Sequence, residues 1–572
     1  MRFTDAVVSL LSVASTCKSA LIEQTSSPMV KLSFNKWHGP TYEESSLERR
    51  SLETRNNKEF NFIVENQQNF YSVDLLVGTP GQNITVLLDT GSSDLWLTAK
   101  NNPYCKSNAG SNDKKEDYRL EDGDNQSIVS MLTASGTGTN PIGGSGIPTA
   151  ISGSAQLTGT YTSGTGTGPS GSSPEPTMDC SQYGTFDVNK SKSFRSNKTE
   201  FYISYGDGSF ASGYWGTDSV NFANMNLDGV SFAVANETNS TVGVFGIGLP
   251  ENEATYTPDP SLNDFHPYEY QNFPQVLKSK GAINKAAYSL FLNSLDASSG
   301  DILFGAVDRS KYKGDLYTLP LLNSDPTKYK NPMEFDVTLQ GVGFTNGSSK
   351  TTFTTTKIPA LLDSGTSLIY LPDALAKGIA HKLGGSYNED IGYYVIGCPS
   401  ENDDSQLVFD FGGFTIKNNL SNYLLGSPDD GDDSQCVLGI LPSDVQAILG
   451  DVFLADAYVV YDLDDYEVSL AQASFDNSKE DIQIISDSIP GAKRAPGYSK
   501  TWSTPASIKS GGNIFTSSNK KTERDHTAAT ATPVSGSASS TSGAQISSQD
   551  VANGFSPSML ALLNAFILSF VI

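Results

Sequence analysis

Residues 85–98 read Thr85-Val86-Leu87-Leu88-Asp89-Thr90-Gly91-Ser92-Ser93-Asp94-Leu95-Trp96-Leu97-Thr98. The phrase returns at 358–371 as Ile358-Pro359-Ala360-Leu361-Leu362-Asp363-Ser364-Gly365-Thr366-Ser367-Leu368-Ile369-Tyr370-Leu371. In each copy an aliphatic, strand-forming run carries the chain up to one carboxylate. A glycine two residues on lets the backbone turn sharply, and hydroxyl side chains surround the acid.

One Asp-Thr-Gly alone reads best as an acid capping its own turn. Two copies in the same hydrophobic frame reverse that reading and suggest two half-sites of one shared site, with Asp89 and Asp363 together. Two carboxyls held about 3 Å apart cannot both ionise, so one keeps a proton while the other stays charged. One then acts as base on a water and the other as acid toward a carbonyl.

The 572 residues, 37% of them hydrophobic, allow two or more cores. The formal charge of −25 argues against nucleic acid, which calls for a basic footprint, and favours cationic substrates. Cys17 lies in an N-terminal leader, leaving Cys105, Cys180, Cys398 and Cys436 as an even set in a chain with secretory features. Four cysteines admit three connectivities; proximity along the chain suggests Cys105 with Cys180 and Cys398 with Cys436. Eight Asn-x-Ser/Thr sequons agree with secretion. No cysteine or histidine spacing matches a metal site. The glycine-punctuated run 242–248 lacks the Lys-Ser/Thr ending of a phosphate loop, and the acidic run 429–433 lacks calcium-loop spacing. Neither a cofactor nor a metal is expected.

A basic start and short apolar core mark residues 1–20 as a signal peptide. Residues 21–50 are polar and, ending in Arg49-Arg50, read as a propeptide with a processing site. Strand patterns follow over 61–98, with a turn at Gly78-Thr79-Pro80-Gly81. Residues 106–179 collapse into Gly, Ser and Thr and read as a disordered insertion, pinned at its base by a disulfide, with Lys114-Lys115 as a candidate internal cleavage site. A hairpin centred on Tyr205-Gly206-Asp207-Gly208 spans 201–215. Further strands are expected at 289–293, 300–305, 407–411, 458–462 and 467–471, with a helix over 372–383. Past 485 the chain turns Ser/Thr-rich like a stalk (486–553). Small residues, a spacer and the apolar run 559–572 form a glycosylphosphatidylinositol (GPI) signal within 554–572; the run is short for a transmembrane helix.

Both Asp motifs, Tyr71-Ser72-Val73-Asp74, Val77-Gly78-Thr79-Pro80, Ile203-Ser204-Tyr205-Gly206-Asp207-Gly208-Ser209 and Ile448-Leu449-Gly450-Asp451-Val452-Phe453 resemble the pepsin-like aspartic proteases. Within them they resemble the yapsins, fungal enzymes tethered by a glycolipid and selective for basic residues. The resemblance covers roughly residues 60–485 apart from the insertion. It implies an all-β, bilobal fold, with lobes at 51–280 and 281–485 and a cleft between them. Asp89 and Asp363 would activate water, Ser92 and Thr366 would hydrogen-bond the carboxylates, and Thr90 and Ser364 would brace the two loops. Tyr205, Gly206 and Asp207 would form a flap over substrate, with Trp96 supporting the tyrosine. The implied partners are polypeptides carrying basic residues, the GPI lipid and cell-wall glucan, for a monomer or a disulfide-linked two-chain form. Two rival readings are a broad-specificity secreted protease and an inactive surface glycoprotein on the same fold. The intact pair of Asp motifs and the flap speak for an enzyme.

Overall fold

The computed structural model describes residues 28–38, 69–106, 178–206, 208–223, 225–255, 270–326, 329–400, 403–426, 434–444, 446–476 and 479–515. The leader, Arg49-Arg50, the interior of the insertion with Lys114-Lys115, Asp207, the 429–433 run and the proposed stalk and anchor from 516 onward lie outside them.

Strands dominate. Each aspartate phrase folds the same way, because its aliphatic run is suited to a strand buried on both faces. Gln82–Asp89 runs parallel to Gly243–Gly246, which pairs antiparallel with Leu95–Thr98 on its other side. In the second half Ile358–Leu362 runs parallel to Ala447–Leu449, which pairs antiparallel with Ile369–Pro372. The glycine-punctuated segments 242–248 and 448–453 therefore supply the strands wedged between the approach to each aspartate and its exit. An added Cβ shows why glycine stands there: at Gly246 it would lie 2.5 Å from the Asp94 nitrogen, and at Gly450 2.2 Å from the carbonyl oxygens of Thr366 and Leu368.

A 14-stranded sheet draws strands from both halves of the chain. Its seam is Val30–His38, which pairs antiparallel with Ser299–Phe304 on one side and Asn69–Val77 on the other. The core crosses the same seam: Phe273 stacks edge-on against Phe222 and Phe245, each at 4.7 Å between centroids, and touches Phe304. Phe273 opens the helix Phe273–Ser279, whose start is fixed by a reciprocal capping box between Asn272 and Gln275. The helix Asp373–Lys382 follows Pro372 and buries Leu375, Ala376, Ile379 and Ala380, one face at helical spacing.

The packing reaches past two of the expected boundaries. The sequence reading places 21–50 apart from the catalytic lobes, yet Val30–His38 is built into the sheet that joins them. It also ends the second lobe at 485, whereas packing continues to residue 515. Ala492–Arg494 adds a parallel strand to Tyr312–Pro320. Trp502 N–H donates to Thr338 Oγ1 at 2.8 Å, and Ile514, 8% exposed, fills the space left by Gly341 and Gly343. Isolated apolar residues in a polar stretch carry no periodicity, so only the surface that receives them reveals the packing. Both cysteine pairs favoured by proximity are bonded, Cys105 to Cys180 and Cys398 to Cys436. Among the described residues no helix is long and apolar enough to cross a membrane.

Candidate active site

Asp89 and Asp363 meet at the centre of the molecule, both with no exposed surface. Each is held in the same way. Asp89 accepts from Gly91 N–H at 2.8 Å and from Ser92 Oγ at 2.5 Å, one bond to each carboxylate oxygen. Asp363 accepts from Gly365 N–H at 2.8 Å and from Thr366 Oγ1 at 2.5 Å.

The loops are locked to each other by the hydroxyls between them. Thr90 N–H donates to Ser364 Oγ at 3.2 Å, and Ser364 N–H donates to Thr90 Oγ1 at 2.9 Å. Each hydroxyl then donates to the strand beneath the opposite aspartate, Thr90 to Leu362 O at 3.1 Å and Ser364 to Leu88 O at 3.3 Å. Every donor and acceptor of this buried square is used, which fixes the spacing of the two acids.

Burial first, then the negative charge of Asp363, push the Asp89 carboxyl up to about 8; the bonds from Ser92 and Gly91 offset only part of this. The Asp89 carboxyl therefore keeps its proton into the neutral range. Over it stands the hairpin Arg195–Ser204 and Phe210–Phe222, with Tyr205 N–H bonded to Ser209 O at 2.8 Å and Gly208 N–H to Tyr205 O at 3.0 Å. Trp96, fully buried, donates its indole N–H to Tyr205 Oη at 2.7 Å. Burial and then the charge of Asp89 hold the Tyr205 phenol well above its ordinary range, so it stays neutral beside the acids. Gly206 flanks the turn; Asp207 falls outside the described residues.

Four further ionisable groups surround the pair. Lys36, on the seam strand, is 5% exposed and donates to Ser294 O at 2.7 Å. Burial brings its ammonium down to about 8, against the attraction of Asp451. Asp451, 1% exposed, is held well above the carboxylate range by burial, with Lys36 pulling the other way. Asp94, directly after Ser93, accepts from Tyr270 Oη at 2.5 Å and Ala254 N–H at 2.8 Å, and burial raises it to about 6. Glu334 lies near Asp363 and accepts from Gln446 Nε2 at 3.3 Å. Sequence reasoning missed all four as site groups. For Lys36 a signal existed: it falls in phase with Val30, Leu32 and Phe34, so strand alternation points it inward. Among the described residues no group of three or more His, Cys, Asp or Glu side chains is placed to hold a metal.

A family model described as eukaryotic aspartyl protease matches residues 70–473. The chain belongs to that family. It is 47% identical to Aspartic proteinase 3 of Saccharomyces cerevisiae over 557 residues, 95% of each chain. It is 46% identical to Aspartic proteinase MKC7 of the same yeast, over 85% of this chain and 80% of that one. With Aspartic proteinase yapsin-3 it shares 45% identity, over 81% and 78%. The protein is thus a yapsin-like, all-β aspartic-type endopeptidase, and the two mirrored aspartate loops form the centre of its fold.

Proposed function

We propose that this endopeptidase cuts polypeptides after Lys or Arg, singly or in pairs, at the cell surface, with Asp89 and Asp363 as the catalytic acids. The observation that carries the chemistry is the pair of buried carboxylates, each fixed by one backbone N–H and one hydroxyl. The ionised member of the pair takes a proton from a water lying between the two acids, and the water oxygen bonds to the scissile carbonyl carbon. The protonated member gives its proton to the carbonyl oxygen, so charge does not build up there. The tetrahedral product collapses as the C–N bond breaks and the leaving nitrogen takes up a proton. Tyr205, held by Trp96, covers the reacting bond and excludes solvent.

Specificity for a basic residue on the N-terminal side of the cut bond rests on Asp207. It stands in sequence between Gly206 and Gly208, two residues past the tyrosine that covers the site. Many pepsin-like relatives carry threonine there, so a carboxylate replaces an uncharged group where a substrate side chain lies. A charge-assisted hydrogen bond of this kind contributes about 1.5–3 kcal/mol, or roughly ten- to more than a hundredfold in rate. The charge of −25 adds long-range attraction that salt weakens first. Surface attachment rests on the apolar run 559–572, read as a signal for a GPI anchor, with transfer to cell-wall glucan as its further destination.

Profiling cleavage sites on a peptide library tests the reading, with Asp207→Thr alongside the wild type. Lys and Arg should dominate the position before the cut bond. The substitution should lower the ratio of kcat/KM for Lys or Arg peptides to that for Leu or Phe peptides by at least about tenfold. Equal losses on both classes would remove Asp207 as the selector.

A further inference from the structure

The cleft carries a second carboxylate beside the catalytic pair, on the opposite lobe from the flap. Strand Asp336–Leu339 pairs antiparallel with Ile358–Leu362, with Asp336 opposite Leu361. Leu362 N–H donates to Phe335 O at 3.3 Å, so the pairing runs on past the strand end. One more step brings Glu334 alongside Asp363, and the charge of Asp363 is among the influences on the Glu334 carboxyl.

The neighbours of Glu334 turn inward: Phe335 has no exposed surface and packs on Tyr461 at 4.5 Å, and Asp336 is 1% exposed. Glu334 itself stays partly open to solvent. Gln446, just before Ala447–Leu449 on the far side of the Asp363 strand, donates Nε2 to Glu334 Oε2 at 3.3 Å and fixes its direction. Among the described residues the charged neighbours acting on it are themselves acids, Asp363 and Asp336. Burial and the charge of Asp363 raise its carboxyl above the ordinary range, a penalty that a cation lying on it would reverse.

Successive side chains of an extended peptide point to opposite sides. A substrate lying across the two aspartates therefore sets the side chain on one side of the cut bond against the first lobe, under Tyr205, and the next against the second lobe, at Glu334. We propose that Glu334 is a specificity carboxylate that selects Lys or Arg on the C-terminal side of the cut bond, so that a basic pair straddles Asp89 and Asp363. This rests on the assignment of the aspartate pair as the cutting site, and it is separable from the role of Asp207.

Four peptides that differ only at the two residues flanking the cut bond test it: Arg-Lys, Arg-Leu, Leu-Lys and Leu-Leu. In the wild type the ratio of kcat/KM for Lys over Leu after the bond should be about tenfold, the size of one charge-assisted contact. Glu334→Gln, nearly isosteric, should lower that ratio at least about fivefold while the Arg-over-Leu ratio before the bond stays within about twofold. Glu334→Lys should reverse the preference toward Glu after the bond. A wild-type ratio near one, or Gln and wild-type enzymes with the same ratio, would overturn the proposal. Failure of the Asp207 reading appears instead in the Arg-over-Leu ratio. Failure of the aspartate pair appears as cleavage that persists in Asp89→Asn.

Discussion

At the scale of single residues, the decisive fact is that Asp89 is buried next to a second acid and accepts two hydrogen bonds that only partly offset the cost. Its carboxyl is raised from 3.8 to about 8, so the folded state holds a proton that the unfolded chain has already released. Between these two values the native protein binds more protons than the unfolded one, and stability falls as pH rises. Asp89→Asn removes that penalty. Peptide cleavage should drop by at least about a thousandfold, because an amide cannot exchange the pair's proton. The thermal midpoint of the variant should exceed that of the wild type near pH 7, and the gain should shrink toward pH 4. A variant that keeps its activity, or a stability gain that is largest at pH 4, would contradict this account. Asp363→Asn should lose activity equally.

At the scale of elements, the two aspartate loops are set by what lies beneath them. Gly450 sits where the strand Ala447–Leu449 passes under the turn after Asp363, and a methyl group there would meet two carbonyl oxygens at 2.2 Å. Gly450→Ala should cost about 3 kcal/mol. Gly378, inside the helix Asp373–Lys382, faces open space and has no left-handed backbone. Gly378→Ala should instead stabilise by about 0.5–1 kcal/mol. Thermal unfolding of both variants checks the contrast, and equal effects would show that backbone approach does not govern the site. The same logic explains the seam strand. Val30–His38 is held by two ladders, and it carries Lys36 inward as the cation acting on Asp451, next to the aspartate pair.

At the scale of the whole molecule, one sheet joins the two halves while the chain from 486 to 515 wraps onto the second. The proposed surface attachment belongs here. A phosphatidylinositol-specific phospholipase, or deletion of residues 559–572, should release the enzyme from membranes with its peptide activity intact. A deletion variant that sediments with membranes would end the anchor reading; protein already transferred to glucan would resist the lipase but not the deletion.

The repeated aspartate phrase by itself pointed to the pairing of Asp89 with Asp363, while the all-β class and the hydroxyls that hold the acids came with the family resemblance that this phrase and the other motifs carry. Those features are local: aliphatic runs, a glycine turn and short side chains bonding within three residues leave a mark in the order of residues. Lys36, Asp451, Asp94 and Glu334 left no such mark as members of the site. Lys36, Asp451 and Glu334 come from distant parts of the chain, and their meaning depends on a register or a crossing that brings them there, as when Asp336 opposite Leu361 sets Glu334 beside Asp363; Asp94 lies inside the phrase itself, but its partners Tyr270 and Ala254 do not. The wrap to residue 515 was hidden for a related reason, since one isoleucine over two glycines forms no pattern until the sheet beneath it exists. A buried charge takes its chemistry from its surroundings, and folding is what assembles those surroundings.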